Sequence, residues 1–269
     1  MAGRDTARKT AGSPWMLRKL ILSPAIRPIL LVLFLLVLWD LTIRIFGIPA
    51  YLIPPPGKVM VQLVQQWPLL LSESYFTTQA TVWGFLLSIV VGVPIAMVIA
   101  YSRVVESYVY PLLVFSQSVP KVAIAPLFVV WFGFGILPKV ITAFLLGFFP
   151  IVVSTVMGFK SVESDMLDLA RSMGASRLQT FFKISLPAAL PAMFSGLKVS
   201  VTLAVVGAVV GEFVGSNSGI GYVLQVANGN FDLPLMFAGL VLLSIIGVLL
   251  FAVVDLIERM MIPWHASQR

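Results

Sequence analysis

The sequence predicts an all-α, polytopic membrane protein with six transmembrane helices. Three observations carry that expectation. Of 269 residues, 59% are apolar and 11% charged, and the mean hydropathy is +1.01; a soluble globular domain carries roughly 25% charged residues. Uncharged runs cover residues 74–102, 140–159 and 233–254, each long enough for the ~20 apolar residues that cross a bilayer as a helix. Six such spans use roughly 120 residues, and the remainder suffices for loops and tails, not for a sizeable soluble domain.

In chain order, residues 1–27 form a basic, polar tail, and the transmembrane domain covers 28–260. The first span is expected at 28–46, with Trp39 and Asp40 near its far end. No A-x-A-like site follows its apolar run, so an uncleaved helix is expected rather than a signal peptide. Pro54-Pro55-Pro56-Gly57 reads as a rigid extended turn, and residues 59–66 as an amphipathic surface helix. The second span is expected at 76–101. The third, 108–134, holds Pro111, Pro120 and Pro126, each lacking a backbone donor; with Lys121 beside the middle one, a discontinuous helix is expected. The fourth span is placed at 139–159, the fifth at 192–213 and the sixth at 234–257, before a short tail, 261–269. Lys198 lies in the early turns of the fifth span, from where its ammonium can snorkel to the interface. Gly207, Gly211 and Gly215 recur every four residues and suit close helix packing. Trp264 and His265 read as an interface anchor and a solvated tail residue.

Orientation follows from Lys and Arg. With both termini on one side, that side holds fourteen basic residues, among them Arg4, Arg8, Lys9, Arg18, Lys19, Arg103, Lys160, Arg171, Arg177, Lys183 and Arg269. The other side holds Arg44, Lys58 and Lys139. The richer side is therefore cytoplasmic, with both termini there. The same asymmetry accounts for the formal net charge of +7 without a nucleic-acid partner. Cysteine is absent, so disulfides and thiolate sites are excluded; the single histidine, His265, stands near the C-terminus, so a His-based metal cluster or Ser-His-Asp triad inside the membrane is not available.

The cytoplasmic loop 160–191 is the most informative segment. Glu163, Asp165 and Asp168 come early and Arg171, Arg177 and Lys183 late, an order that suits the dipole of a short helix. Gly174 stops that helix and Ser176 can cap the next; Pro187 and Pro191 mark the entry to the fifth span. Met166, Leu169, Ala170 and Met173 give the first helix an apolar face. The pattern alone leaves open a solvated connector and a docking face.

The string Asp168-Leu169-Ala170-x3-Gly174-x9-Ile184-x-Leu186-Pro187 resembles the E-A-A-x3-G-x9-I-x-L-P motif of ABC importer permeases, with Asp for Glu and Leu for the first Ala. The likeness extends from about residue 28 to 264. Ile53-Pro54-Pro55-Pro56-Gly57-Lys58-Val59, the stretch from Ala125 to Gly135, Gly147-Phe148-Phe149-Pro150 and Gly211-Glu212-Phe213-Val214-Gly215 are similar to the nitrate/sulfonate/taurine group. The resemblance implies a type I ABC importer permease of the bacterial inner membrane. It implies a cytoplasmic coupling helix between spans four and five, built on Asp168, Leu169, Ala170, Gly174, Ile184, Leu186 and Pro187. The implied partners are a second copy of the chain, two ATPase subunits, and a periplasmic or lipid-anchored binding protein. The implied cargo is a small anion such as a sulfonate, taurine or nitrate, or a pyrimidine or vitamin precursor. No Gly-x4-Gly-Lys-Ser/Thr string occurs, so ATP and Mg are expected on the partner ATPase, with no cofactor on this chain and no catalysis by it.

Candidates for the translocation path are Ser116, Gln117 and Lys121 at the proline break, and Glu212 and Asn217 at the outer end of the fifth span. Polar groups at membrane depth commonly face a pathway; snorkelling for Lys121 and a headgroup-layer carboxylate for Glu212 are the plainer alternatives. A secondary transporter or intramembrane enzyme is the competing class. It needs buried carboxylates or a lysine with a base partner, and Asp40, Glu212, Asp232 and Asp255 all lie near span ends.

Overall fold

A computed structural model describes residues 26–263. The N-terminal basic tail as far as residue 25, and Trp264, His265 and Arg269, lie outside the described residues. Every regular element among those described is helical: α1 (Ile26–Phe46), α2 (Pro56–Gln65), α3 (Trp67–Tyr101), α4 (Arg103–Gln117), α5 (Lys121–Phe132), α6 (Ile136–Lys160), α7 (Ser164–Ser172), α8 (Arg177–Thr180), a π-turn (Phe181–Ser185), α9 (Leu186–Gly215), α10 (Ile220–Gly229) and α11 (Leu233–Met261). Five runs are long and apolar enough to cross a membrane: α1, α3, α6, the continuous helix Arg177–Gly215, and α11. The pair α4 and α5 makes a sixth, bent by 92°.

The bend falls at Pro120, which offers no amide proton and disfavours helix for Val119. Pro111 and Pro126 are carried inside α4 and α5, as prolines in membrane helices can be when neighbours satisfy the freed carbonyl. Two spans run past their expected limits. α3 begins at Trp67 and carries Glu73 within it, because that carboxylate has a backbone partner and does not end the helix. The fifth span is continuous with the second helix of the cytoplasmic loop, so Pro187 and Pro191 mark no break. Pro187 falls in the first turn of α9, two residues after the π-turn ends at Ser185; the wider spacing of that turn suits a ring nitrogen with no proton to give.

The centre of the bundle is α6, with α9 along one side and α3 along another. Small residues set these distances. A Cβ placed on Gly207 would stand 2.6 Å from Ala143 Cα and 2.7 Å from the Thr142 carbonyl oxygen, and one on Gly211 would stand 2.8 Å from Lys139 Cα. The spacing of four therefore marks a face where α9 touches the α6 backbone. α2 buries Val59 against Ile220, Leu224 and Leu242 of α10 and α11. α1 stands apart, with Trp39 tilted against Phe237 at 5.6 Å and most of its apolar side chains exposed.

Lys198 has two acidic partners on α11: it donates to Asp255 at 2.5 Å and to Glu258, and Asp255 also holds Arg259 at 2.9 Å.

Candidate functional site

α7 begins after Glu163, carries Asp165 in its first turn and Arg171 in its last. It closes through a left-handed Gly174 at φ +76°. Gly174 N–H donates to the Arg171 carbonyl at 2.9 Å and Ala175 N–H to the Ala170 carbonyl at 3.0 Å, a Schellman closure. Ser176 then opens α8 with a reciprocal cap: its Oγ accepts from Gln179 N–H at 3.3 Å, and its own N–H donates to Gln179 Oε1 at 2.8 Å. The two helices thus fold back on each other around an apolar groove of about 500 Å³.

Leu169, Ala170, Gly174 and Ile184 all line this groove, with Met166 and Met173. Met173 is 78% exposed and Leu169 63% exposed, a large apolar presentation for a segment outside the membrane spans. Asp168 lies off the groove, paired with Arg171 at 2.9 Å on the exposed side. Leu186 and Pro187 lie beyond it, at the start of α9. An aromatic stack joins the loop to the bundle: Phe181 faces Phe159 at 5.9 Å and Tyr101 at 6.1 Å.

Ser116, Gln117 and Lys121 flank the 92° bend. Ser116 Oγ donates to the Leu113 carbonyl at 2.7 Å. Lys121 Nζ lies 4.4 Å from the centre of the Phe149 ring, near the middle of α6, and has no acidic partner among the described residues. From Lys121, α5 runs to Val129, which packs on Gly215 at the end of α9. Eight residues separate the two, about 12 Å of helix.

Glu212 is fully buried within the subunit. Its carboxylate accepts from Thr77 Oγ1 at 2.9 and 3.0 Å and from Gly221 N–H at 2.8 Å. Ile220 N–H donates to Thr77 Oγ1 at 2.8 Å and Gly219 N–H to Glu73 Oε2 at 2.5 Å. Lys139 Nζ donates to the Ser218 carbonyl at 2.8 Å and to Ser218 Oγ at 3.0 Å. Asn217 is exposed in the same loop. The sequence reading missed Lys139, Glu73, Thr77 and Phe149. Glycines at 219 and 221 beside a span-end carboxylate were the available signal, since a Cβ on either would run into Glu212.

Residues 88–263 match the family of binding-protein-dependent transport system inner membrane components. The chain belongs to this permease family. The permease is 40% identical over 250 residues to the formylaminopyrimidine transport permease protein ThiX of Halalkalibacterium halodurans, covering 91% of this chain and 98% of ThiX. It is 35% identical to the riboflavin transport system permease protein RibX of Chloroflexus aurantiacus, over 91% and 92% of the two chains. It is 30% identical to the putative aliphatic sulfonates transport permease protein SsuC of Bacillus subtilis, over 98% and 92%. The fold matches a chain of the MetNI methionine ABC transporter in an inward-facing conformation, with TM-score 0.60 and 22% identity over 71% of this permease and 95% of that chain. The permease is thus the membrane subunit of an ABC importer, a multi-span protein in a family that works with an ATPase and a binding protein.

Proposed function

We propose that two copies of this permease form the path for a flat, acceptor-rich nitrogen heterocycle of the pyrimidine or vitamin-precursor class. Lys121 with Gln117 and Ser116 meets the solute at mid-depth. The observation that carries this reading is the unpaired Lys121 ammonium against the Phe149 ring, at a helix break beside the middle of a membrane-length helix. An ammonium there offers donors to ring carbonyl and nitrogen acceptors, and the aromatic ring offers a stacking face. The identities to ThiX and RibX, above that to SsuC, support a heterocycle over a sulfonate. The charge of Lys121 favours the second reading, a small organic anion.

In the proposed arrangement both termini face the cytoplasm, as the basic residues require. The groove between α7 and α8 receives the ATPase, and the exposed Asp168–Arg171 pair offers a second, charged contact. ATP and Mg act on that subunit, and the permease itself performs no chemistry. α1, exposed over most of its length, faces lipid or the second copy.

Two outcomes test the reading in proteoliposomes holding the permease, its ATPase and its binding protein. Uptake is expected only with the ATPase and internal ATP; uptake by the permease alone, driven by an ion gradient, would assign it to the secondary transporters. Lys121→Met is expected to cut uptake about tenfold or more, the loss of one charge-assisted hydrogen bond, with assembly intact. Unchanged uptake would remove Lys121 from the path. A sulfonate competing better than a pyrimidine would select the anion reading.

A further inference from the structure

The start of α10 is capped entirely by other helices. Gly219, Ile220 and Gly221 present consecutive N–H groups, and these meet Glu73 and Thr77 of α3 and Glu212 of α9. Lys139 of α6 grips the preceding residue, Ser218, from the other side. Three helices thus hold one short helix by its positive, donor-bearing end. Three of the partners are sealed, Glu212 and Thr77 fully buried and Lys139 3% exposed, while Glu73 is half-buried. Gly219 takes φ +103°, and a side chain there would overlap the Glu212 carboxylate, so this approach requires glycine.

Lys139 brings a positive charge to this cluster through its two bonds to Ser218. Releasing α10 would take the Gly221 donor from Glu212, the Gly219 donor from Glu73 and the Ser218 acceptors from Lys139, and a buried charge that loses hydrogen bonds is costly. An element that had to open at every turnover would be held by weaker contacts than these.

We propose that Lys139, Glu73, Thr77 and Glu212 are positioning residues that clamp α10 to α3, α6 and α9 throughout the transport cycle, so that the solute passes beside α10 and never beneath it. The clamp rests on the transport reading above and not on the identity of the solute.

The test uses the absence of cysteine from the chain. Ala227→Cys places a single thiol on the buried face of α10, where Ala227 is 1% exposed. The full permease–ATPase complex in liposomes is treated with a membrane-impermeant maleimide, at rest and when arrested with a non-hydrolysable ATP analogue. The clamp requires the thiol to stay unreactive in both states. Adding Lys139→Met removes the grip on Ser218 and the positive charge brought to both carboxylates, and is expected to speed labelling about a hundredfold. Adding Glu212→Gln to that variant removes one stranded charge and is expected to slow labelling again by about tenfold. Independent structural damage would instead accelerate it further. Labelling of the parent thiol in the arrested state overturns the proposal, as does a slow Lys139→Met variant or a double variant faster than the single. If Lys139→Met yields no protein, recovery of the Lys139→Met/Glu212→Gln double supports the clamp and its equal failure overturns it. ATP-driven uptake by the Ala227→Cys parent in the same liposomes separates failure of the clamp from failure of the transport reading.

Discussion

Gly174→Val is expected to uncouple the permease from its ATPase while the membrane helices stay folded. Gly174 sits at φ +76°, where a β-branched residue costs on the order of 1–2 kcal/mol. A Cβ there would meet nothing within 4 Å, so the penalty is conformational and not a clash within the subunit. The Schellman closure of α7 and the entry to α8 both depend on that one residue. Forcing its backbone to negative φ re-aims α7 and opens the groove lined by Leu169, Ala170 and Ile184. The expected readout is loss of the ATPase on co-purification, or loss of substrate-stimulated ATP hydrolysis, with normal yield in detergent. Gly174→Asn should retain more coupling, because Asn tolerates the left-handed region. Asp168→Ala should be milder than Val, since the Asp168–Arg171 pair is largely solvent-exposed and such pairs add little to folding. If Gly174→Val and Asp168→Ala both leave assembly and stimulated hydrolysis at the parent level, the loop is not the coupling element.

Gly207→Leu should damage the bundle itself. The contact is with backbone, Ala143 Cα and N and the Thr142 carbonyl, and backbone cannot swing aside as a flexible side chain can. Overpacking a core costs typically ~1–3 kcal/mol, and here α9 must lift from α6 along its longest interface. Loss of monodisperse protein or a lowered Tm in detergent is expected. Gly247→Leu on α11 is the matched control, because nothing lies within 4 Å of its added Cβ. Equal behaviour of the two variants would show that the spacing of Gly207, Gly211 and Gly215 is incidental.

Most of the fold was legible because water and lipid impose simple rules. Uncharged runs located α3, α6 and α11, and Pro120 with Lys121 located the break between α4 and α5. The coupling loop was legible because its signals are local: a left-handed glycine, a serine cap, an apolar face. The cluster around the start of α10 was not legible. Glu73 and Lys139 read as span limits, since charge normally marks the end of a membrane helix, and only the fold shows that they hold residues 219 and 218. The partners of Lys198, Asp255 and Glu258, were hidden for the same reason: they lie far along the chain, and no local pattern announces them. Pro187 misled in the other direction, because a π-turn can carry a helix through a proline that the sequence alone reads as a boundary.

The continuous helix from Arg177 to Gly215 has a mechanical consequence. Its 39 residues span about 58 Å at 1.5 Å per residue, from beside the ATPase groove to the neighbour of Glu212. Its π-turn, Pro187 and Pro191 lie near the foot, and these are the places where such a helix bends; from residue 192 to its head it has no proline to interrupt it. In the proposed cycle, slip between ATP consumed and solute delivered then arises at that hinge or at the two ends, where the foot parts from the ATPase or the solute parts from the path. The stoichiometry of the importer becomes a property of its joints.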